Sequence, residues 1–301
     1  MRVAGAILPL LAAALLAGCS PRAYLAHRVA DSVSAGGEIF GTDDDPELIR
    51  DAVPFALKAE EVLLSGNPDH RGLLLSLCKG FAQYASAFVW QEAVEEKDRG
   101  AAEAGKERAR RLFLRSKEYG LRGLAAARPG FRERFAADPA AAVSMARKED
   151  VPFLFWTGAS WSLAVASSPN DPMLLADLPR SEALVRRALE LEEGYDAGAI
   201  HEYYIAFEGG RPEAMGGSVE RAKRHYERAM ELAAGRRISP MVTFAETVSV
   251  RTQNRAEFLG LLDRALRFDA RGEAPEFRLA NLLAQRKARW LTGRVDEFFL
   301  E

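Results

Sequence analysis

The sequence has few of the residues that build metal and nucleophilic sites. Among 301 residues there are two cysteines, at 19 and 78, and four histidines, at 27, 70, 201 and 225. His201-Glu202 would open a zinc-protease helix motif only if histidine recurred at 205, and Ile205 stands there instead. Gly158-Ala159-Ser160-Trp161-Ser162 lacks the last glycine of a nucleophile elbow and follows no strand signal. No glycine loop of the phosphate-cradling kind occurs. The sequence therefore assembles no catalytic residues, no metal site and no cofactor site, and the expected protein is not an enzyme. An enzyme would need a cluster of perturbed acid, base or nucleophile side chains brought together only by folding. An excess of one charge is also missing, with 41 Lys+Arg against 43 Asp+Glu, so there is no basic field and nucleic acid is not an expected partner. Strand signals are scarce too: no alternating run of β-branched residues is closed by a hairpin dipeptide.

What is present begins at the amino terminus. Met1-Arg2 supplies one positive charge, and Val3 to Ala17 then runs fifteen residues without a charge into Leu16-Ala17-Gly18-Cys19. A membrane span needs about 20 apolar residues, so this order of positive end, short apolar region and small residues predicts an export signal. Leu-Ala-Gly-Cys resembles the lipobox of bacterial lipoproteins. That resemblance implies cleavage before Cys19, lipidation of Cys19 and attachment to a membrane through the lipid; the alternative is an ordinary secreted protein with a cysteine near its cut site. Ser20 stands where aspartate would favour the inner membrane, which favours the outer membrane over the inner one. The expected division is a signal peptide over 1–18, a lipidated amino terminus, tether and short first helix over 19–41, and a single helical domain over 42–301. With Cys19 lipidated, Cys78 is alone, and its setting, Leu73-Leu74-Leu75-Ser76-Leu77-Cys78, predicts a buried small hydrophobe rather than a reactive thiol.

Over the body, alanine, leucine, arginine and glutamate recur at helical spacing, which predicts an all-α fold. Thr42-Asp43-Asp44-Asp45-Pro46 reads as a helix start, with capping oxygens followed by a first-turn proline. Gly66-Asn67-Pro68, Ala127-Arg128-Pro129-Gly130, Ser167-Ser168-Pro169 and Gly209-Gly210-Arg211-Pro212 read as stops. The charged stretch 95–111, with glycines at 100 and 105, reads as a loop or a frayed helix end. Laid over one another, Ala183–Leu191, Lys223–Leu232 and Gly260–Phe268 each carry Arg-Ala-(Leu/Met)-x-(Leu/Phe), with the alanine at 188, 229 and 265. Ala222, Tyr226 and Ala229 resemble the second helix of a tetratricopeptide (TPR) repeat. The expectation is a TPR-like solenoid of helical hairpins with insertions between repeats, in which each hairpin buries its apolar face on the next.

A longer resemblance covers about Asp43 to Phe299. It rests on Asp51-Ala52-Val53-Pro54-Phe55-Ala56-Leu57-Lys58, Glu149-Asp150-Val151-Pro152-Phe153-Leu154-Phe155-Trp156, Ala197-Gly198-Ala199-Ile200-His201-Glu202, Ser239-Pro240-Met241-Val242-Thr243-Phe244-Ala245-Glu246 and Leu279-Ala280-Asn281-Leu282-Leu283-Ala284-Gln285-Arg286. In that order these stretches resemble the TatT family, the TPR-type lipoproteins that accompany tripartite ATP-independent periplasmic (TRAP) transporters. The resemblance implies a periplasm-facing accessory subunit, a homotrimer, and a periplasmic solute-binding protein as partner. A second reading is an envelope TPR scaffold that assembles other proteins. For ligand or partner contact the sequence offers Trp156, Ser160 and Trp161 on one predicted helix, His201 and Tyr204 on another, Glu246 on a third, and Asn281 with Gln285 on a fourth. Solenoids bind along their first-helix surfaces. Each of these residues also admits a plain reading as core or as a hydrogen-bonded buried side chain.

Overall fold

A computed structural model describes residues 28, 30–32 and 36–300; the expected export signal, the lipidation at Cys19 and the tether up to residue 27 lie outside them. Among the described residues every regular element is helical. A short helix at Gly37–Gly41 leads to α1 (Pro46–Gly66), where Asp45 accepts the backbone N–H groups of Glu47 and Leu48, each at 3.1 Å. These are donors that the first turn would otherwise leave unpaired. Helix α2 starts at Arg71 under a His70 cap and runs to Glu95, passing through a π-helical turn at Ala85–Trp90. It is long and apolar enough to cross a membrane, yet it packs between α1 and α3.

Helix α3 (Arg99–Ala127) covers most of the stretch 95–111, expected to be a loop or a frayed helix end. Asp98 caps it through the N–H of Ala101 at 2.7 Å, and the helix continues straight through Gly100 and Gly105. A side chain at 105 would press on Ala93 of α2, so this glycine permits contact between helices rather than marking a break. Two short helices, Phe131–Ala137 and Pro139–Val143, then lead to α4 (Val151–Ala166), followed by α5 (Leu178–Leu191), α6 (Ala199–Gly209), α7 (Val219–Leu232), α8 (Ser239–Phe244, continuing as a π turn over Ala245–Ser249), α9 (Arg255–Arg267) and α10 (Arg278–Thr292).

Each helix packs on its neighbour in sequence, from α1 on α2 to α9 on α10, and α6 also meets α8 while α8 meets α10. Small residues set the closest approach. At the meeting of α2, α3 and α4, a β-carbon on Gly120 would overlap the Thr157 side chain and crowd Cys78. Ser116 donates to the Cys78 carbonyl at 2.6 Å in the same place. Burial pushes the Cys78 thiol up to about 12, so it is an inert packing group.

One large apolar cluster spans α1 to α6 and a second spans α6 to α10; Tyr204 and Phe207 belong to the first and Ile205 to the second, so the two faces of α6 join them. The chain then returns to its start. Helix α10 touches α1 and the Gly37–Gly41 helix, Arg271 pairs with Asp44 at 3.1 Å, Arg278 donates to the Thr42 carbonyl at 3.0 Å, and Arg286 reaches both Glu47 (3.5 Å) and Glu95 (3.4 Å).

Candidate functional site

The residues expected to contact a ligand do not converge on one point. Ser160 is fully buried and donates to the Thr157 carbonyl within its own helix at 3.1 Å. Trp161 is buried, donates its indole N–H to Asp177 at 3.2 Å and lies under Lys117, whose Nζ is 4.2 Å from the ring centre. Asn281 joins the turn before α8 to α10, accepting from the Ile238 N–H (3.1 Å) and donating to the Arg236 carbonyl (2.9 Å). Gln285 donates to the carbonyls of Ala265, Leu266 and Phe268, which close the end of α9. These four side chains direct their polar atoms at the chain itself, as buried polar groups must.

His201 and Tyr204 are brought together around a residue not named with them, His225 of α7. The two imidazoles face one another Nδ1 to Nδ1 at 2.8 Å, and the Tyr204 ring stacks on His225 at 4.8 Å. On the other side of His201, Glu193 stands 3.3 Å from Nε2 and is held by Nε and Nη2 of Arg228, each at 2.9 Å. Desolvation lowers the pKa of both histidines, His225 to about 4 with a further contribution from His201. A hydrogen bond between the two Nδ1 atoms needs a proton on one and a lone pair on the other, so the two rings cannot both be cationic, and the lowered pKa values agree with that geometry.

Trp156 and Glu246 remain half-buried with atoms open to solvent. They fall in a row of side chains, one from each alternate helix: Lys79 on α2, Trp156 on α4, Glu202 on α6, Glu246 on α8 and Lys287 on α10, all half-buried. Two pairs of them touch, and Glu202 is tied to the following helix. Lys79 Nζ lies 5.9 Å from the Trp156 ring, Ser239 of α8 donates to Glu202 at 2.9 Å, and Lys287 pairs with Glu246 at 2.5 Å. Arg237 braces Glu202 at 3.2 Å. Beside Glu246 a shallow surface depression runs past Gly209, Gly210, Glu213, Thr247 and Arg251. The π turn at Ala245–Ser249 forms one wall of it, and Arg251 closes the end of α6 by donating to the Arg211 carbonyl at 2.6 Å.

Tyr195 was not expected. Its hydroxyl accepts the Trp156 indole N–H at 3.2 Å, and burial together with the Asp196 charge raises its pKa. It sits in the turn between α5 and α6, where Asp196 (φ 45°), Ala197 (φ 50°) and Gly198 (φ 91°) are all left-handed. Two consecutive non-glycine residues in that region are costly, and Arg237 holds the turn through the Asp196 carbonyl at 3.0 Å. The Trp156 hydrogen bond and packing on Phe155 hold the ring. Nothing periodic marks residue 195, and Glu202 stood in the sequence only as the neighbour of His201.

Comparison with known proteins places this geometry in context. A family model described as TRAP transporter T-component matches residues 42–299. An uncharacterized protein of Treponema pallidum (strain Nichols) is 33% identical over 269 residues, covering 87% of this chain and 83% of its own length.

Proposed function

Because the chain belongs to the family of TRAP transporter T-components, we propose that it is a non-enzymatic accessory lipoprotein of a TRAP-type uptake system, anchored at Cys19, facing the periplasm from the outer membrane. In this reading it forms a homotrimer and binds ligand, docks a periplasmic solute-binding protein, or does both. The observation that supports contact along the alternate helices is the row Lys79, Trp156, Glu202, Glu246 and Lys287, which mixes one large aromatic surface with charges of both signs. Such a surface suits a partner or solute with apolar and charged parts. Trp156 and Glu246 are the direct contacts. Ser160, Trp161, His201, Tyr204, Asn281 and Gln285 act by holding the helices that present them. No step of chemistry is assigned to any of them; the action is binding and positioning.

The test is a binding titration between the purified protein and the solute-binding protein of the same transport system. Trp156→Ala and Glu246→Ala should each weaken the complex about tenfold, a loss of about 1.4 kcal/mol, in protein whose far-UV circular dichroism matches that of the parent at the titration temperature. Unaltered affinity in both variants would remove the row from the proposed contact.

A further inference from the structure

The two large apolar clusters divide the molecule, and among the described residues α6 is the one element whose buried side chains belong to both: Ala199, Ile200, Tyr204 and Phe207 to the first, Ile205 to the second. Helices α1 to α5 thus pack as one part and α7 to α10 as another. Polar contacts reinforce the join at α6. Arg228 of α7 holds Glu193 in the turn before α6, the two histidines bridge α6 to α7, and Arg251 donates to the Arg211 carbonyl at the far end of α6.

The parts meet again where α10 reaches α1 and the Gly37–Gly41 helix, and this second meeting is of another kind. Neither cluster crosses it: Leu57 and Leu64 of α1 lie in the first, Ala284, Ala288 and Leu291 of α10 in the second. Ile49 of α1 is buried and Leu282 and Leu283 of α10 are half-buried, yet none of them joins a cluster. The bonds that cross are polar. Arg271 reaches Asp44, both 63% exposed, Arg278 reaches the Thr42 carbonyl, and Arg286 reaches Glu47 and Glu95. The Nε of Arg278 is buried among the described residues without a hydrogen-bond partner, which is a cost of the closed form. Ala274, in the turn that leads into α10, is held at φ 95°, a region that disfavours any residue with a β-carbon.

Exposed ion pairs are weak and salt weakens them further, whereas apolar packing is not screened by salt. From this contrast we propose that α10 and α1 form a salt-sensitive latch and α6 a hinge, so that α7 to α10 swing as one body away from α1 to α5. The row of alternate-helix side chains begins at Lys79 on α2 and ends at Lys287, next to Arg286 on α10, and Arg286 bridges to Glu95 at the end of α2. Unlatching therefore parts the two ends of the row. A partner that spans the row holds the latch closed, and this last step alone rests on the transport reading.

Pulsed electron resonance between spin labels at Val62→Cys on α1 and Arg289→Cys on α10 measures the opening directly. The sample is the full lipidated chain, purified from membranes in detergent and diluted with unlabelled chain so that each assembly carries one labelled protomer. Both positions are exposed, and Cys78 is fully buried and does not take a label. Raising sodium chloride from about 50 mM to about 0.5 M, which shortens the reach of exposed charges about threefold, should increase the share of a longer distance while helical circular dichroism stays unchanged. Asp44→Arg should increase it about fivefold at low salt, as the loss of one ion pair does, and Asp44→Arg together with Arg271→Asp should return the short distance. Adding the solute-binding protein of the same transport system should return it too. A single distance indifferent to salt and to Asp44→Arg would overturn the latch, as would a double exchange that stays open. Salt-driven opening in a chain that does not bind the solute-binding protein would uphold the latch and count against the transport reading.

Discussion

His201 and His225 illustrate what single residues add to this fold. Their folded pKa values lie below the usual histidine value of 6.5 because both rings are partly shut off from water. The unfolded chain therefore binds more protons than the native one as pH falls from 6.5 toward about 4, and stability must decline across that window while being fully present above it. Glu193 opposes the effect at His201 and Glu208 at His225, whereas Arg221, Arg224 and Arg228 reinforce it. Urea unfolding should show a lower midpoint at pH 5 than at pH 7.5, and His225→Gln should flatten the difference. A midpoint that is the same at both pH values would contradict the pairing. Asn281 makes a second case. Asn281→Ala leaves the buried Ile238 N–H and the Arg236 carbonyl without partners and should cost about 1–3 kcal/mol, measurable by denaturant titration. Residues such as these were visible in the sequence as polar members of apolar helices, but their partners were not. His225 lies 24 residues from His201 and the Asn281 partners lie more than 40 residues away, and spacing rules reach only one or two turns.

Elements were easier to read than contacts. The Asp45 cap, the stop after Gly66 and the buried alanines at 188, 229 and 265 all follow from local chemistry. The region 95–111 shows where that chemistry misleads. Gly100 and Gly105 lower helix propensity by about 1 kcal/mol each, yet tertiary packing on α2 outweighs it and α3 runs 29 residues. The room that Cys78 needs on α2 comes from Gly120 on the facing helix. Gly120→Ala should therefore destabilise the protein by about 1–3 kcal/mol through overpacking. Thr157→Ala in the same chain should recover part of that loss; strict additivity of the two in thermal melts would show that they do not share one space. The π turns in α2 and α8 had no signal at all, since hydrophobic periodicity does not register one extra residue in a turn.

At the scale of the molecule, the α10 contacts with α1 and with Gly37–Gly41 tie the carboxyl-terminal part of the chain to its beginning. The ion pairs there are exposed and individually worth at most about 1 kcal/mol, so Arg286→Glu should lower stability only slightly while raising hydrogen exchange in α10 and the first turn of α1. Among the alternate helices, α2 meets α4, α6 meets α8 and α8 meets α10. The family was legible from five short stretches in order, because the structure uses them at helix crossings: Ala199 and Ile200 are buried in α6, and Met241 and Val242 in α8. The half-buried row was legible only at Trp156 and Glu246; Lys79, Glu202 and Lys287 join it through packing. A calorimetric titration of the full chain with the solute-binding protein of its transport system tests the central reading most directly. The account predicts a saturable complex that Trp156→Ala and Glu246→Ala weaken about tenfold. No heat and no complex at any concentration, with the solute present or absent, would contradict it.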